Sequence, residues 1–308
     1  DRPSRARRCR EDARGLSLAA PDSERDTVPA TTEFDVVGTS PIRHDGADKV
    51  TGRAVFGPDF QSAGLLHGKM LRSPHAHARI KSIDTAKAKA APGVYAVVTA
   101  NDLPSNGGDR LVDLGIGPIR VEFLRNNILA REKVLYKGHA VAGVAAISAH
   151  AAEEALALID VEYEALPSVM TISEAMKPDA PLLYDNLKTS GLGEASDKPS
   201  NVASRLRLSL GDAGNGFEDA DVIVEREFDT SAVHQGYIEP HNCTALWNTD
   251  GRLHIWASTQ GAFGARTAVA WILDLPVSQV KVTPLEIGGG FGGKTALYLD
   301  PVAALLSK

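Results

Sequence analysis

The chain has 308 residues, enough for about two domains, with 43% hydrophobic and 23% charged content. Its formal net charge of -6 gives no footing for a polyanion, so nucleic acid is not expected as a partner. No apolar run approaches the roughly 20 residues of a membrane-crossing helix, and the two cysteines, Cys9 and Cys243, form neither a disulfide framework nor a Cys-x-x-Cys iron–sulfur pattern.

In chain order, residues 1–32 are expected to be a disordered tail. Six arginines fall within the first fourteen positions, and Ala19–Asp26 is polar and rich in structure breakers. Arg7-Arg8 has no apolar stretch behind it, which argues against a twin-arginine signal. Residues 33–184 form the first predicted folded region. A helix is expected over Lys81–Ala91, stopped by Pro92-Gly93. Val141–Ile147 is an apolar run with strand character. His150–Ile159 carries Ala152, Ala155, Leu156 and Ile159 at helical spacing. Val161, Tyr163 and Ala165 alternate with Glu162 and Glu164, the mark of a half-exposed strand. Strand, helix and strand with short connections make an α/β unit.

His67, His75 and His77 raise the question of a metal site. His75 and His77 would share a face of an extended stretch, but no Cys or carboxylate joins them at ligand spacing, so a structural role is the better reading. His139 and His150 are expected at surface or loop positions. Residues 185–199, rich in Gly, Ser, Asp and Lys, are a predicted linker. Residues 200–308 form the second region, opening on an expected strand at Arg205–Leu210.

Two constellations stand out in this second region. The first is His234-Gln235-Gly236-Tyr237-Ile238-Glu239-Pro240-His241-Asn242-Cys243, where Pro240 forces Glu239 out of helical geometry. From its residues alone it fits a strand packed beneath a binding layer. The second is Gly288-Gly289-Gly290-Phe291-Gly292-Gly293-Lys294-Thr295, a run whose backbone can take left-handed dihedrals and approach a ligand closely. It formally fits the P-loop pattern. That reading needs a following helix and a later acidic strand, whereas thirteen residues follow Thr295 and Pro301 interrupts them. A nucleotide-binding P-loop protein and a catalytically silent structural subunit remain the alternatives.

The order strand, Ser258-Thr259-Gln260, helix, strand, glycine cluster resembles the molybdopterin-binding large subunit of the xanthine dehydrogenase/aldehyde oxidase family, which includes carbon monoxide dehydrogenase large chains. Thr51–Asp59, Leu65–Ala78, Pro92–Thr99 and Val134–Ala142 resemble its α/β hammerhead domain, so the likeness runs from about Val36 onward. It implies an α+β chain: an α/β hammerhead domain followed by the first part of a molybdopterin-binding domain. It implies that Gln260 lies beside the molybdenum without ligating it, and that Gly261, Gly290, Phe291, Gly292 and Gly293 approach the cofactor. A side-chain amide and backbone N–H groups can donate to acceptor ligands without adding a titrating group, and Gly261 opens a helix whose N-terminus suits an anion.

The resemblance further implies oxidation of an aldehyde, N-heterocycle or similar small molecule with water as oxygen source. The cofactor would be molybdopterin, in its cytosine dinucleotide form, with molybdenum. Iron–sulfur and FAD groups would sit on partner subunits, in the cytoplasm. No catalytic residue is assigned, because the family's base lies downstream of the glycine cluster. Xanthine-type members carry Glu directly after Gly-Gly-Lys; this chain carries Thr295, which weakens any case for purine substrates. Val302–Lys308 reads as an apolar helix lacking a partner. The chain is therefore expected to be an N-terminal portion, inactive by itself, with a separate polypeptide or further sequence supplying the rest.

Overall fold

The computed structural model describes residues 34–113, 118–191 and 196–308; the predicted tail at 1–32 lies outside them. The chain divides into two units, 1–53 and 54–308. In the first, a helix at Gly46–Thr51 ends on Gly52, which turns left-handed at φ 75°.

The second unit begins with β1 (His67–Arg72), β2 (Ala78–Asp84) and β3 (Val94–Thr99). The short antiparallel pair β4 (Leu111–Asp113) and β5 (Pro118–Arg120) leads into α1 (Val121–Ile128). Next come β6 (Lys133–Val134), β7 (Ala140–Ala146), α2 (Ala149–Ala157) and β8 (Asp160–Ala165). Two antiparallel sheets result, ordered β1-β7-β3 and β6-β2-β8. All seven residues of β7 are buried. Ala142, Val144 and Ala146 join Ala152, Ala155 and Ile159 in one core cluster, while Val141 joins Ala78 and Val134 in another. That two-sided burial explains why β7 is a continuous apolar run rather than an alternating one. The Ser148 hydroxyl caps α2 by accepting from Ala151 N at 3.1 Å.

β9 (Ser190–Gly191) and β10 (Ser204–Arg205) form a two-residue parallel pair. Beyond them, β11 (Cys243–Trp247), β12 (Leu253–Ala257), α3 (Ala262–Ile272), β13 (Val280–Pro284) and α4 (Asp300–Ser307) complete the unit. β12 pairs antiparallel with β11 and parallel with β13, and α3 is the crossover between the parallel pair. Leu253, Ile255 and Ala257 alternate inward along β12 and share a core with Val98, Leu129, Val269, Ile272 and Val302. This core joins the hammerhead-side strands to the second region.

Four expectations need correction. The predicted helix at Lys81–Ala91 is only one turn, Ala86–Lys89, because Lys81–Asp84 is the second half of β2 and pairs with β8. The predicted strand at Arg205–Leu210 pairs only at its start; Leu206, Leu208 and Leu210 are exposed. Alternation makes a strand only where a neighbour completes the ladder, and the described residues supply no neighbour there. His139 holds the expected loop position, between β6 and β7, but not a surface one: it is fully buried, its Nε2 donating to Asn126 O at 2.7 Å and its Nδ1 accepting from Leu135 N at 3.2 Å. Lastly, α4 does have a partner: Val302 and Ala304 are buried, and a Cβ on Gly143 of β7 would lie 2.7 Å from Val302 Cγ1. The apolar segment packs backward onto earlier strands rather than forward. Among the described residues, no helix is long and apolar enough to cross a membrane.

Candidate functional site

Because β12 and β13 run parallel, their C-terminal ends lie side by side. Ser258-Thr259-Gln260 leaves the first and Gly288–Lys294 follows the second. The two motifs, apart in sequence, therefore meet at one edge of the sheet, the place where parallel strands characteristically present their loops.

The loop is held in an uncommon conformation. Gly289 and Gly292 have φ of 96° and 86°, and Phe291, which is 72% exposed, also takes a left-handed φ of 48°. A non-glycine residue in that region is strained and persists only where its surroundings over-determine it. The surroundings here are specific. Gln260 Oε1 accepts from Gly292 N and from Lys294 N, each at 3.1 Å. Gln260 N in turn donates to Lys294 O at 3.0 Å. Two amide hydrogens aimed at one side-chain atom require that atom to be the carbonyl oxygen, which leaves the NH₂ group of exposed Gln260 outside these bonds. A Cβ on Gly290 would lie 2.5 Å from Gln260 Oε1, so only glycine permits this approach.

Beneath the loop lies a buried charge cluster. The Lys294 side chain is fully buried, and its Nζ donates to Glu239 Oε2 at 2.6 Å and to Ser258 Oγ at 2.9 Å. Glu239 Oε2 also accepts from Ser258 Oγ at 2.7 Å and from Gly288 N at 2.8 Å. Its Oε1 accepts from Asn242 Nδ2 at 3.2 Å and Gly57 N at 3.4 Å. The Tyr237 ring lies 5.1 Å from Lys294 Nζ, and its Cε1 is 2.8 Å from where a Cβ on Gly293 would be. Burial by itself would raise the Glu239 carboxyl, but the donors Lys294, Ser258, Gly288 and Asn242 outweigh it and hold it at about 2, below its ordinary 4.5. Stability from this depression is present above pH 4.5 and is lost as pH falls toward about 2.

The sequence-predicted residues thus come together: Gln260, Gly261, Gly290, Phe291, Gly292 and Gly293 share one edge. Gly261 is the N-cap of α3, its N–H donating to Thr259 Oγ1 at 3.2 Å, and a Cβ on it would meet nothing within 4 Å. Thr295 closes the loop by donating from Oγ1 to Gly292 O at 2.7 Å. The P-loop alternative is overturned. Lys294 is buried against Glu239 rather than free to reach a phosphate, and no helix starts there, the next being α4 at Asp300. The three histidines do not converge: His67 starts β1, His75 rests edge-on against Tyr163, and His77 Nδ1 donates to Pro167 O at 2.7 Å.

Sequence reasoning missed Ser258, the pairing of Glu239 with Lys294, and Arg125. Glu239 and Lys294 carry opposite charges in the two constellations singled out, which was a usable signal. Arg125 left none: it is buried on α1, and its guanidinium donates to Ile272 O at 2.9 Å and to Asn106 O at 2.5 Å.

Comparison with known proteins agrees with this geometry. The family model described as molybdopterin cofactor-binding domain matches residues 195–308. The one described as aldehyde oxidase and xanthine dehydrogenase, a/b hammerhead domain matches residues 51–167. The carbon monoxide dehydrogenase large chain of Afipia carboxidovorans is 36% identical over 259 residues, 83% of this chain and 31% of that one. A probable xanthine dehydrogenase subunit of Bacillus subtilis is 33% identical over 268 residues, 87% of this chain and 33% of that one. The crystal structure of quinoline 2-oxidoreductase from Pseudomonas putida 86 matches with a TM-score of 0.73 at 32% identity, covering 88% of this chain and 33% of that one. The chain spans about a third of the length of these relatives. By its two matched domains, its fold and the pairing of its two motifs, the chain belongs to the xanthine dehydrogenase/aldehyde oxidase family of molybdopterin-binding large subunits.

Proposed function

We propose that this chain forms the hammerhead and the first cofactor-facing elements of a molybdenum hydroxylase acting on an aldehyde, N-heterocycle or similar small molecule. The observation that carries this is the fixed orientation of Gln260. Its carbonyl is taken by two loop N–H groups, which leaves the amide hydrogens of this exposed side chain outside those bonds and available to a ligand.

The residues present fit molybdopterin. The outer edge offers a neutral amide, a backbone cleared of Cβ atoms, and the open N-terminus of α3, all suited to an anionic group. The nearest carboxylate of the cluster, Glu239, is neutralised beneath the loop by Lys294 and does not oppose an anion there. Gln260 and the Gly290–Gly293 backbone would hold the metal end of the cofactor, and Gly261 its anionic part. When bound, the cofactor supplies two-electron redox chemistry and activation of water. The chain's own residues donate hydrogen bonds from fixed positions, which lowers the reorganisation needed as charge develops. In this reading the cofactor is the cytosine dinucleotide form, electrons leave to iron–sulfur and FAD subunits, and the complex works in the cytoplasm. The general base lies in sequence beyond these residues, on the same or a separate polypeptide, so these residues alone turn over no substrate.

The test is molybdenum content and pterin fluorescence of the full-length protein purified with its partner subunits, followed by turnover of Gln260→Ala. Molybdenum and pterin in the wild type, with turnover of the variant lowered by about 10²–10³ at normal loading, are the expected results. Absence of both would leave a silent structural subunit as the reading. Undiminished turnover in a fully loaded variant would remove Gln260 from the site.

A further inference from the structure

We infer that Glu239 and Lys294 form a buried clasp that positions Gln260 and the glycine loop toward the cofactor; the part about the cofactor rests on the molybdopterin reading above. A single carboxylate oxygen, Glu239 Oε2, holds both ends of the loop: Gly288 N at its entrance, at 2.8 Å, and Lys294 Nζ at its exit, at 2.6 Å. A ring is thereby closed across the base of a segment containing two left-handed glycines and a left-handed Phe291. Lys294 then passes this constraint on. Its backbone N–H and carbonyl both engage Gln260, and its carbonyl also accepts from Thr259 Oγ1 at 3.3 Å. The residue whose side chain is locked by Glu239 is therefore the one whose backbone orients the Gln260 amide.

Stability is a poor reason for such a cluster. Taking both charges out of water costs as much as their attraction returns, and a well-packed apolar pair is often as stable or more so. What the ion pair supplies here is geometry. Nζ uses two donors on Glu239 and Ser258 and turns its remaining side to the Tyr237 ring, so no alternative rotamer satisfies it equally. Gly288 is part of the same fit, since a Cβ there would sit 2.6 Å from Glu239 Cβ. Glu239 and Lys294 are positioning residues: they act through Gln260 and the loop.

The experiment uses the full-length protein with its partner subunits. It compares Glu239→Gln, Lys294→Met and the double variant with the wild type. Each single variant strands a buried charge or leaves a donor unmet and is expected to unfold more readily. The double variant removes both charges together and keeps the fold testable. Four quantities are read: melting temperature, pterin and molybdenum per folded protein, kcat, and hydrogen exchange at the Gly292 and Lys294 amides. The double variant is expected to melt near the wild type, to expose those two amides to exchange at least about tenfold faster, and to lose cofactor by a similar factor. Unchanged protection of both amides in the double variant would overturn the clasp, whatever the cofactor content. Faster exchange with full cofactor loading and unchanged kcat would reduce it to a fold element and overturn its positioning role. Absence of pterin from the wild type would instead sink the molybdopterin reading, while the exchange rates still decide the clasp.

Discussion

The hammerhead side and the glycine-loop edge both bury polar side chains, but in opposite ways. On the hammerhead side, buried His139 is neutral, with one ring nitrogen donating to a carbonyl and the other accepting an amide hydrogen, so it spans two backbone segments. Arg125 likewise gives its donors to the carbonyls ending α3 and to Asn106. These groups satisfy backbone amides and carbonyls of the scaffold. At the glycine loop, a buried ion pair is joined to a strained, exposed backbone and a side-chain amide turned outward. Buried polarity alone does not mark a site; buried charge that stabilises an unfavourable surface conformation does.

This contrast predicts that fold and cofactor respond to different substitutions. The largest effect is expected from Gly290→Val, which drives a side chain into Gln260 Oε1, 2.5 Å from the Cβ position. Pterin per folded protein should fall by about tenfold or more, the loss of at least one well-made hydrogen bond, with little change in melting temperature. Normal loading in that variant would break the comparison at its centre. Leu129→Ala is the converse case. Leu129 is fully buried in the shared core, and its truncation should cost about 2–5 kcal/mol in urea unfolding while pterin per folded molecule stays constant. A proportional loss of pterin would show that the two regions are not separable. Arg125→Met should cost about 1.5–3 kcal/mol by the same unfolding measurement, because the carbonyls at the end of α3 lose charged donors.

The smallest effect sharpens the contrast through pH. Burial lowers the His139 pKa from its ordinary 6.5, so the unfolded chain binds the extra proton more readily. The stability His139 contributes is present above pH 6.5 and declines as pH falls below it. The Glu239 clasp starts to weaken only below 4.5 and yields toward about 2. Melting curves at about pH 5 should therefore show a modest loss, reduced but not abolished in a His139→Gln background because burial also lowers His241 and His254, with the protection of the Gly292 amide intact. Loss of that protection at pH 5 would place the sensitive group at the loop instead.

Much of this was legible in the sequence, and the limits have physical causes. The segment Val141–Ala165 was readable because its burial repeats with the period of each element: continuous in β7, helical in α2, alternating in β8. The meeting of Gln260 with Gly290–Gly293 was readable because both follow strands of one α/β crossover. The helix expected at Lys81–Ala91 failed because Lys81 and Ser82 suit a strand edge as well as a helix, and only the pairing of β2 with β8 decides. His139 was legible as a loop residue but not as a buried one, because its burial comes from a backbone arrangement that no local pattern encodes. The Glu239–Lys294 pair spans 55 positions, beyond the reach of any periodicity.

That separation also bears on the order of folding. The bonds made by Glu239 close chain segments of 49, 55 and 182 residues, to Gly288, Lys294 and Gly57. Contacts of such range carry the entropy of loop closure before they return any energy, whereas the helix α2 is assembled from near neighbours. The glycine loop is thus expected to take its shape late, after the strands that flank it have docked. In pulse-labelled refolding, the Gly292 and Lys294 amides should gain protection after those of α2. If the cofactor is seated on this edge, as proposed above, its loading follows the folding of the loop rather than guiding it.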